Sequence, residues 1–99
     1  MYKYRWLKEE NRETLDISSL KNEDGKEFEY RMSLPLFLIA KEIGENSIND
    51  WELYEEENFV VIHVWEDGDL STRERFKIYG VETIEIESDW LEDDEDPDC

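Results

Sequence analysis

The strongest constraint on this chain is its negative charge, which is large and unevenly distributed. The 99 residues carry 29 Asp and Glu against 11 Lys and Arg, for a formal net charge of −18. Residues 1–50 have 8 basic and 11 acidic side chains, whereas residues 51–99 have 3 and 18, a net charge of −15 in the second half. Charge at this density repels itself and opposes a compact state. A folded part of the chain must therefore bury enough apolar surface to offset that repulsion.

The aromatic content indicates that most of the chain folds. Aromatic residues make up 13% of the sequence, with 4 Trp, 5 Tyr and 4 Phe, whereas disordered chains contain few of them. The length fits one domain. We predict a folded domain over residues 1–88 and a disordered acidic tail over residues 89–99. The single cysteine allows no intrachain disulfide, and no apolar run reaches membrane-spanning length, so we expect a cytoplasmic location and no membrane partner.

The periodicity of apolar residues predicts an α+β fold. Alternation with a period of two predicts short strands, in the segments 2–6, 15–20, 28–32, 59–65, 70–77 and 81–87. A helix is predicted near residues 34–43, opened by Ser33 as the cap and ended by Gly44. Together these elements predict a mainly antiparallel sheet of about five to seven short strands with one packed helix. A small all-β barrel is the alternative.

A hairpin is the clearest local prediction. The segment 59–65 is apolar on both faces, which indicates a central strand, and Asp67-Gly68 is a strong signal for a type I′ turn. A two-residue turn there places Phe59 opposite Phe76 and Trp65 opposite Leu70. It also places His63 opposite Thr72, so we predict a cross-strand contact for this histidine, with a pH-sensing role as the alternative.

The three cations of the second half, here called the basic row, are Arg73, Arg75 and Lys77. They alternate on one face of the second hairpin strand. We predict that they pair with nearby carboxylates, which are Glu82, Glu85 and Glu87. In this interpretation their stems lie over Val60 and Ile62, and a small anion site is the alternative.

Residues 48–57 fit two patterns. Ile48, Trp51 and Tyr54 have helical spacing, whereas Trp51 and Leu53 have strand spacing. We predict a strand.

No sequence motif indicates catalysis. The four glycines form no phosphate-binding loop, and one histidine with one cysteine cannot form a Cys/His metal set. With 29 carboxylates, the choice of any two as an acid and base would be arbitrary. We therefore expect neither an enzyme nor a bound cofactor or metal.

The charge is the remaining functional signal. Duplex DNA carries one negative charge per roughly 1.7 Å, so 18 charges span about 30 Å, close to the diameter of a domain of this size. Carboxylates two positions apart on a strand are about 6.6 Å apart, a spacing close to that of phosphates along one DNA strand. We expect the protein to occupy the basic surface of a nucleic-acid-binding protein or nuclease, and not to bind nucleic acid itself.

The partner is expected to contact acidic side chains of the second half and the aromatic side chains among them. The expected contact residues are Trp51, Glu52, Tyr54, Glu55, Glu56, Glu57, Glu66, Asp67, Asp69, Glu85, Glu87, Asp89, Trp90, Glu92, Asp93 and Asp94. Core burial is the alternative for the three aromatic residues. The apolar flank of the helix at Phe37 and Leu38 predicts a further contact, between two copies of the chain.

In size and charge the chain resembles the small acidic inhibitors of phages and mobile elements, such as anti-restriction and anti-CRISPR proteins. One alternative is an immunity protein or antitoxin that neutralises a basic toxin such as a nuclease. Another is a small structural or accessory protein with a solubilising acidic tail. Self-repulsion among the carboxylates predicts raised carboxyl pKa values in the folded state, so we expect stability to increase as the pH falls from 7 toward about 5.

Overall fold

The computed structural model describes residues 1–10, 16–55, 57–81 and 85–97. Five antiparallel strands form one open sheet in the order β2-β1-β3-β4-β5. One α-helix and two short 3-10 helices occur in the described ranges. In chain order the elements are β1 (Tyr2–Lys8), 3-10 helices Ile17–Ser19 and Asn22–Asp24, β2 (Lys26–Tyr30), α1 (Leu36–Asn46), β3 (Phe59–Glu66), β4 (Asp69–Val81) and β5 (Glu85–Leu91). The predicted α+β fold is confirmed, and the barrel alternative is wrong because the sheet does not close.

Helix α1 packs against one face of the sheet, here called the helix face. Four helix residues are buried in this layer: Ile39, Ala40, Ile43 and Gly44. They meet the inward-facing residues of β3, β4 and β5, which include Ile62, Val64, Phe76, Ile78 and Ile86. The core is therefore a sheet-on-helix layer, and β3 is its central strand, as predicted.

The opposite face of the sheet, here called the back face, has no α-helix over it in the described residues. Side chains alternate along a strand, so the back face of β3 carries Phe59, Val61, His63 and Trp65. The last three of these are buried. The 3-10 segment covers Trp65, whose indole N–H donates to Asn22 Oδ1 at 3.0 Å. The acidic C-terminal segment lies over another part of this face, where it contacts Arg73, Arg75 and Lys77.

The helix begins and ends later than predicted. Pro35 is the residue before its first turn, and Ser33 does not cap it. Gly44 lies inside the helix, where an added Cβ would be 2.6 Å from Ile78 Cγ2 and 2.9 Å from Ile86 Cγ2. Gly44 therefore allows close packing of helix on sheet and does not end the helix.

The hairpin turn at Asp67-Gly68 is confirmed, but its type is not. A type I′ turn needs positive φ at both central residues. Gly68 has φ of 85°, and Asp67 is not among the described non-glycine residues with positive φ. Of the two central residues, only Gly68 therefore has the positive φ that a type I′ turn requires.

The predicted register of this hairpin is wrong. Glu66 pairs with Asp69 as expected, but farther along Phe59 pairs with Tyr79 and His63 with Arg75. The shift occurs between Val64 and Glu66. Beyond it, each β3 residue pairs with a β4 residue three positions later than predicted, which is an odd number. An odd shift exchanges the two faces of a strand. The basic row therefore lies on the back face beside His63, and not over Val60 and Ile62.

Side-chain hydrogen bonds explain the shift. The Asp69 carboxylate accepts from the Ser71 backbone N–H at 3.2 Å, and Thr72 Oγ1 accepts from the Glu66 N–H at 2.8 Å. Short polar side chains of this kind compete with the ladder for backbone groups. These hydrogen bonds lie where β4 has extra residues, between the Glu66–Asp69 and Val64–Glu74 pairs.

Three further predictions concern chain segments outside the main hairpin. Residues 48–55 form turns, so the predicted strand there is wrong. The predicted strand at 15–20 is also wrong for its described part, where Ile17–Ser19 is a 3-10 helix. Strand β5 continues to Leu91, three residues past the predicted domain boundary at 88.

No helix in the described residues is long and apolar enough to cross a membrane.

Candidate functional site

The acidic C-terminal segment after β5, residues 92–97 and from here on called the tail, folds back onto the basic row. Arg73 donates from Nη1 and Nη2 to the two carboxylate oxygens of Asp93 at 2.9 and 2.8 Å. Arg75 donates from Nη1 to the backbone carbonyls of Glu92 at 2.8 Å and Glu95 at 2.7 Å. The ladder between β4 and β5 ends at the Arg75–Leu91 pair, so residues 92–97 are free to turn over the back face.

Lys77 completes this set of contacts. Its ammonium donates to the Pro97 carbonyl at 2.9 Å and lies 4.7 Å from the centre of the Phe59 ring. The predicted pairing of the basic row with Glu85 and Glu87 is therefore wrong in its partners, and Glu82 lies outside the described residues. The physical reason is that the tail supplies backbone carbonyls as well as carboxylates, and both accept hydrogen bonds from cations.

A buried polar network lies below the tail. Glu9, just after β1, has a side chain only 6% exposed. Its Oε1 atom is 2.8 Å from His63 Nε2 and 2.8 Å from Arg75 Nε. Its Oε2 atom accepts from Arg75 Nη2 at 3.2 Å. Because a buried charge is stable only when it is paired and hydrogen-bonded, Glu9 is the counter-ion that allows Arg75 to be buried.

The two ring nitrogens of His63 have different partners. Its Nδ1 atom is 2.8 Å from Arg73 Nη1. Arginine always donates and never accepts, so Nδ1 must be the acceptor. Nε2 is then the ring nitrogen that faces the Glu9 carboxylate. The cross-strand contact predicted for His63 is present, but its partner across the ladder is Arg75 and not Thr72.

The pKa values of the Glu9 and Asp93 carboxyl groups follow from their contacts. Burial raises the pKa of Glu9, but hydrogen bonds from His63 and Arg75, with the Arg75 charge, outweigh burial and leave it below its ordinary value. The hydrogen bond from Arg73 lowers the pKa of Asp93. Both groups are therefore held as carboxylates by the fold and serve as internal counter-ions.

The other carboxylates of this region form one surface, on which all but the half-buried Glu87 are exposed. In the β4–β5 ladder Asp89 is opposite Lys77 and Glu87 is opposite Tyr79. Residues opposite one another share a face, so these β5 carboxylates lie on the back face. The tail crosses Lys77 beside them. A groove of about 850 Å³ continues the surface on the other side of the tail. We call this set the acidic surface: Glu10, Glu57, Glu85, Glu87, Asp89, Asp94, Glu95 and Asp96.

The groove lies between the tail, the end of β1 and the start of β3. Its floor includes Phe59 and Val61, and its walls carry seven carboxylates: Glu9, Glu10, Glu57, Asp93, Asp94, Glu95 and Asp96. The two cations in its lining already have internal partners. Arg75 binds Glu9, and Lys8 lies 5.9 Å from the centre of the Trp51 ring. The groove therefore presents mainly negative charge to an approaching molecule.

The structure places several predicted contact residues away from this surface. Glu66, Asp67 and Asp69 lie at the hairpin end of β3 and β4, the far end from Glu57. Asp67 is an internal counter-ion, because a hydrogen bond from Asn22 and the Arg5 guanidinium hold its pKa below its ordinary value. Glu92 is exposed beside the tail turn, where it contributes its carbonyl to Arg75.

The aromatic residues divide between core and surface. Trp51 packs edge-to-face on Trp6, with ring centres 5.5 Å apart, at the border of the core. Tyr54 is 51% exposed and Trp90 57% exposed. Tyr54 lies with exposed Glu52 and Glu55 in the turns before β3, and Glu56 is outside the described residues.

The helix flank predicted as a contact between two copies is only partly exposed. Phe37 is exposed, whereas Leu38 is partly buried. The contact between two copies stays a prediction.

Sequence reasoning missed the residues that hold the tail in place. Glu9 was one of 29 carboxylates without a distinguishing neighbour in sequence, and His63 is 54 residues away from it. The one available signal was that residues 59–65 of β3 are apolar except for His63, since a polar residue in a buried strand needs a partner. Among the described residues, no group of three or more His, Cys, Asp and Glu has the arrangement of a metal site.

Comparison of the chain with protein-family models, with curated proteins and with solved structures found no match.

Proposed function

We propose that this protein is a non-enzymatic acidic binding protein that occupies the basic, nucleic-acid-binding surface of another protein, in the manner of a nucleic-acid mimic. The observation that carries the proposal is the segregation of charge on the back face. The three cations of the basic row are turned toward internal partners, while the acidic surface faces outward around them.

Two features of the geometry support this proposal. The carboxylates at positions 85, 87 and 89 alternate on one face of β5, so neighbouring ones are about 6.6 Å apart. The protein measures 35 Å in its longest dimension and 31 Å in the next, which is comparable to about one turn of duplex DNA. A partner that binds a DNA segment of this length would meet a surface of similar extent and the same sign of charge.

The charge also predicts how such a complex forms. Complementary surface charges speed association and make it sensitive to salt. In size and charge the chain resembles phage and mobile-element inhibitors of host defence, and this resemblance makes a host nuclease or other defence protein the first kind of partner to examine.

The experiment is retention of host proteins on the immobilised protein at low salt, followed by elution with a salt gradient or with duplex DNA. The proposal predicts that DNA displaces the retained proteins, and that these proteins bind DNA-cellulose unless the acidic protein is present. Retained proteins that DNA does not displace would contradict it. So would direct binding of the isolated protein to duplex DNA in a mobility-shift assay at physiological salt.

A further inference from the structure

Strand β5 is an edge strand with an unpaired outer side. It is the last strand in the sheet order, and in the described part of the chain β4 is its only ladder partner. Its seven residues, Glu85–Leu91, make it longer than the opposite edge strand β2, which has five. The outer side of an edge strand presents backbone N–H and C=O groups that can pair with another chain.

The two faces of strand β5 differ in chemistry. On the back face it carries the carboxylates of Glu85, Glu87 and Asp89. On the helix face it carries Trp90, which is 57% exposed. Ser88, two positions before Trp90 on the same face, donates to the Phe37 carbonyl at 2.6 Å, and the Phe37 side chain is itself 48% exposed.

We propose that β5 binds an extended segment of a basic partner protein, which adds to the sheet as a sixth strand. The segment alternates Lys or Arg with apolar residues. Its cations lie beside the β5 carboxylates, because opposite charges on neighbouring strands stabilise a pair, and its apolar residues lie beside Trp90 and Phe37. The inference rests on the proposed function for the basic character of the partner, and it adds the segment and its mode of binding.

Charge selects a basic segment over a second copy of this chain. In an edge-to-edge pair of two β5 strands, the three carboxylates of each copy would lie close to those of the other copy. Like charges placed opposite one another destabilise a strand pair, and charged residues on an edge strand are a common means of preventing self-pairing. The edge β2 is less suited to the same occupant, since it is two residues shorter and its Glu27 carboxylate is paired with the Arg5 cation at 3.1 Å. On β5 the Asp89 carboxylate accepts from the neutral Tyr79 hydroxyl at 2.9 Å.

The test uses a labelled peptide of about nine residues that alternates arginine with valine. The control is a peptide of the same composition with its arginines in one block. Each peptide is titrated into the full-length protein by fluorescence anisotropy at low salt. We expect the alternating peptide to bind about tenfold more tightly, with amide-exchange protection rising in residues 85–91, because only alternation meets both sides of the edge.

Backbone methylation separates strand addition from simple charge attraction. Two versions of the alternating peptide carry N-methyl groups on its odd or its even residues. Only alternate N–H groups of an added strand face the sheet, so one version should lose about tenfold in affinity relative to the other. The substitution W90A should weaken binding about threefold, while Y2A, at a comparably exposed tyrosine of β1, should leave it unchanged.

Several results would overturn the inference. These are equal binding of the alternating and block peptides, equal loss in both methylated versions, absence of saturable binding, and a dimer of the protein that competes with the peptide. Each of these leaves the DNA-displaceable retention of host proteins as a separate measurement, so failure of strand addition is distinguishable from failure of the proposed function.

Discussion

Glu9 is the residue on which the back face depends most. It touches two buried partners, His63 and Arg75, which are 1% and 4% exposed. Breaking a buried ion pair by removing one partner is strongly destabilising, since it leaves an uncompensated charge in the interior. The tail adds acceptors to Arg75, but these are neutral carbonyls. Glu9 therefore links the sheet to the segment that carries much of the acidic surface.

The substitution E9Q tests this role. Glutamine keeps the shape but removes the charge, so we expect the free energy of unfolding to fall by about 3 kcal/mol. The measurement is urea denaturation followed by tryptophan fluorescence. The neighbouring exposed residue gives the matched control, and E10Q should change stability by less than about 0.5 kcal/mol. Equal effects of the two substitutions would show that the buried pair does not stabilise the fold.

The shifted carboxyl groups also predict how stability depends on pH. Among the described residues, the carboxyl groups with shifted pKa values are Glu9, Asp16, Asp67 and Asp93, and all four are lowered. This is the opposite of the raised values expected from self-repulsion. A lowered pKa in the folded state adds stability that is fully present above the unfolded-state pKa and is lost as the pH falls through the folded value.

We therefore expect the melting temperature to stay level between pH 7 and about 5 and to fall below about pH 4. Thermal melts followed by circular dichroism across this range are the measurement. The E9Q protein should lose less stability on acidification than the unaltered protein, because one of the lowered groups is gone. A melting temperature that rises steadily as the pH falls from about 7 to 4 would show instead that repulsion among the carboxylates controls stability.

At the level of elements, α1 packs closely against the strands β4 and β5. Gly44 is the contact point, and its substitution G44A places a methyl group 2.6 Å from Ile78 Cγ2. Alanine favours a helix by about 1 kcal/mol over glycine, but overpacking costs about 1–3 kcal/mol. We expect a net loss of about 1 kcal/mol in urea denaturation. The exposed helix position N46A is the control, and a gain of stability in G44A would show that the helix is free to move away from the sheet.

Elements with a strong local pattern were predictable from the sequence, and those set by distant contacts were not. The central strand β3 and the turn at Gly68 have local signals, a run of apolar residues and a glycine that adopts φ of 85°. The register of β4 depends on the side chains of Asp69 and Thr72, which redirect backbone hydrogen bonds after the turn. Gly44 carries the same sequence signal whether it ends a helix or packs against a strand.

The candidate site was predictable in sign but not in position. The excess of acidic residues in the second half predicted an acidic surface. Its position depends on the fold-back of residues 92–97 over Arg73, Arg75 and Lys77, which joins the tail to β5 and to the groove. Predicting that fold-back required Glu9 from the first half of the chain, because Glu9 is the charged partner of the buried Arg75 guanidinium that the tail carbonyls also contact.

For the whole molecule, the position of the charges matters beyond their total. The protein has a net charge of −18, so three carboxylates can be neutralised in either of two places with the same change in charge. The triple variant E57Q/E85Q/D94N alters exposed positions on the acidic surface. The triple variant E23Q/E29Q/E45Q alters exposed positions outside it. Any difference between the two variants reports on the arrangement of charge.

Retention of DNA-displaceable host proteins by these two variants is the most direct test of an organised acidic surface. We predict that E57Q/E85Q/D94N loses about tenfold in affinity for the retained proteins, measured from their binding at fixed salt, while E23Q/E29Q/E45Q stays within about twofold of the unaltered protein. Equal losses in both variants would mean that the partner responds to net charge alone, and the nucleic-acid mimic would have to be given up.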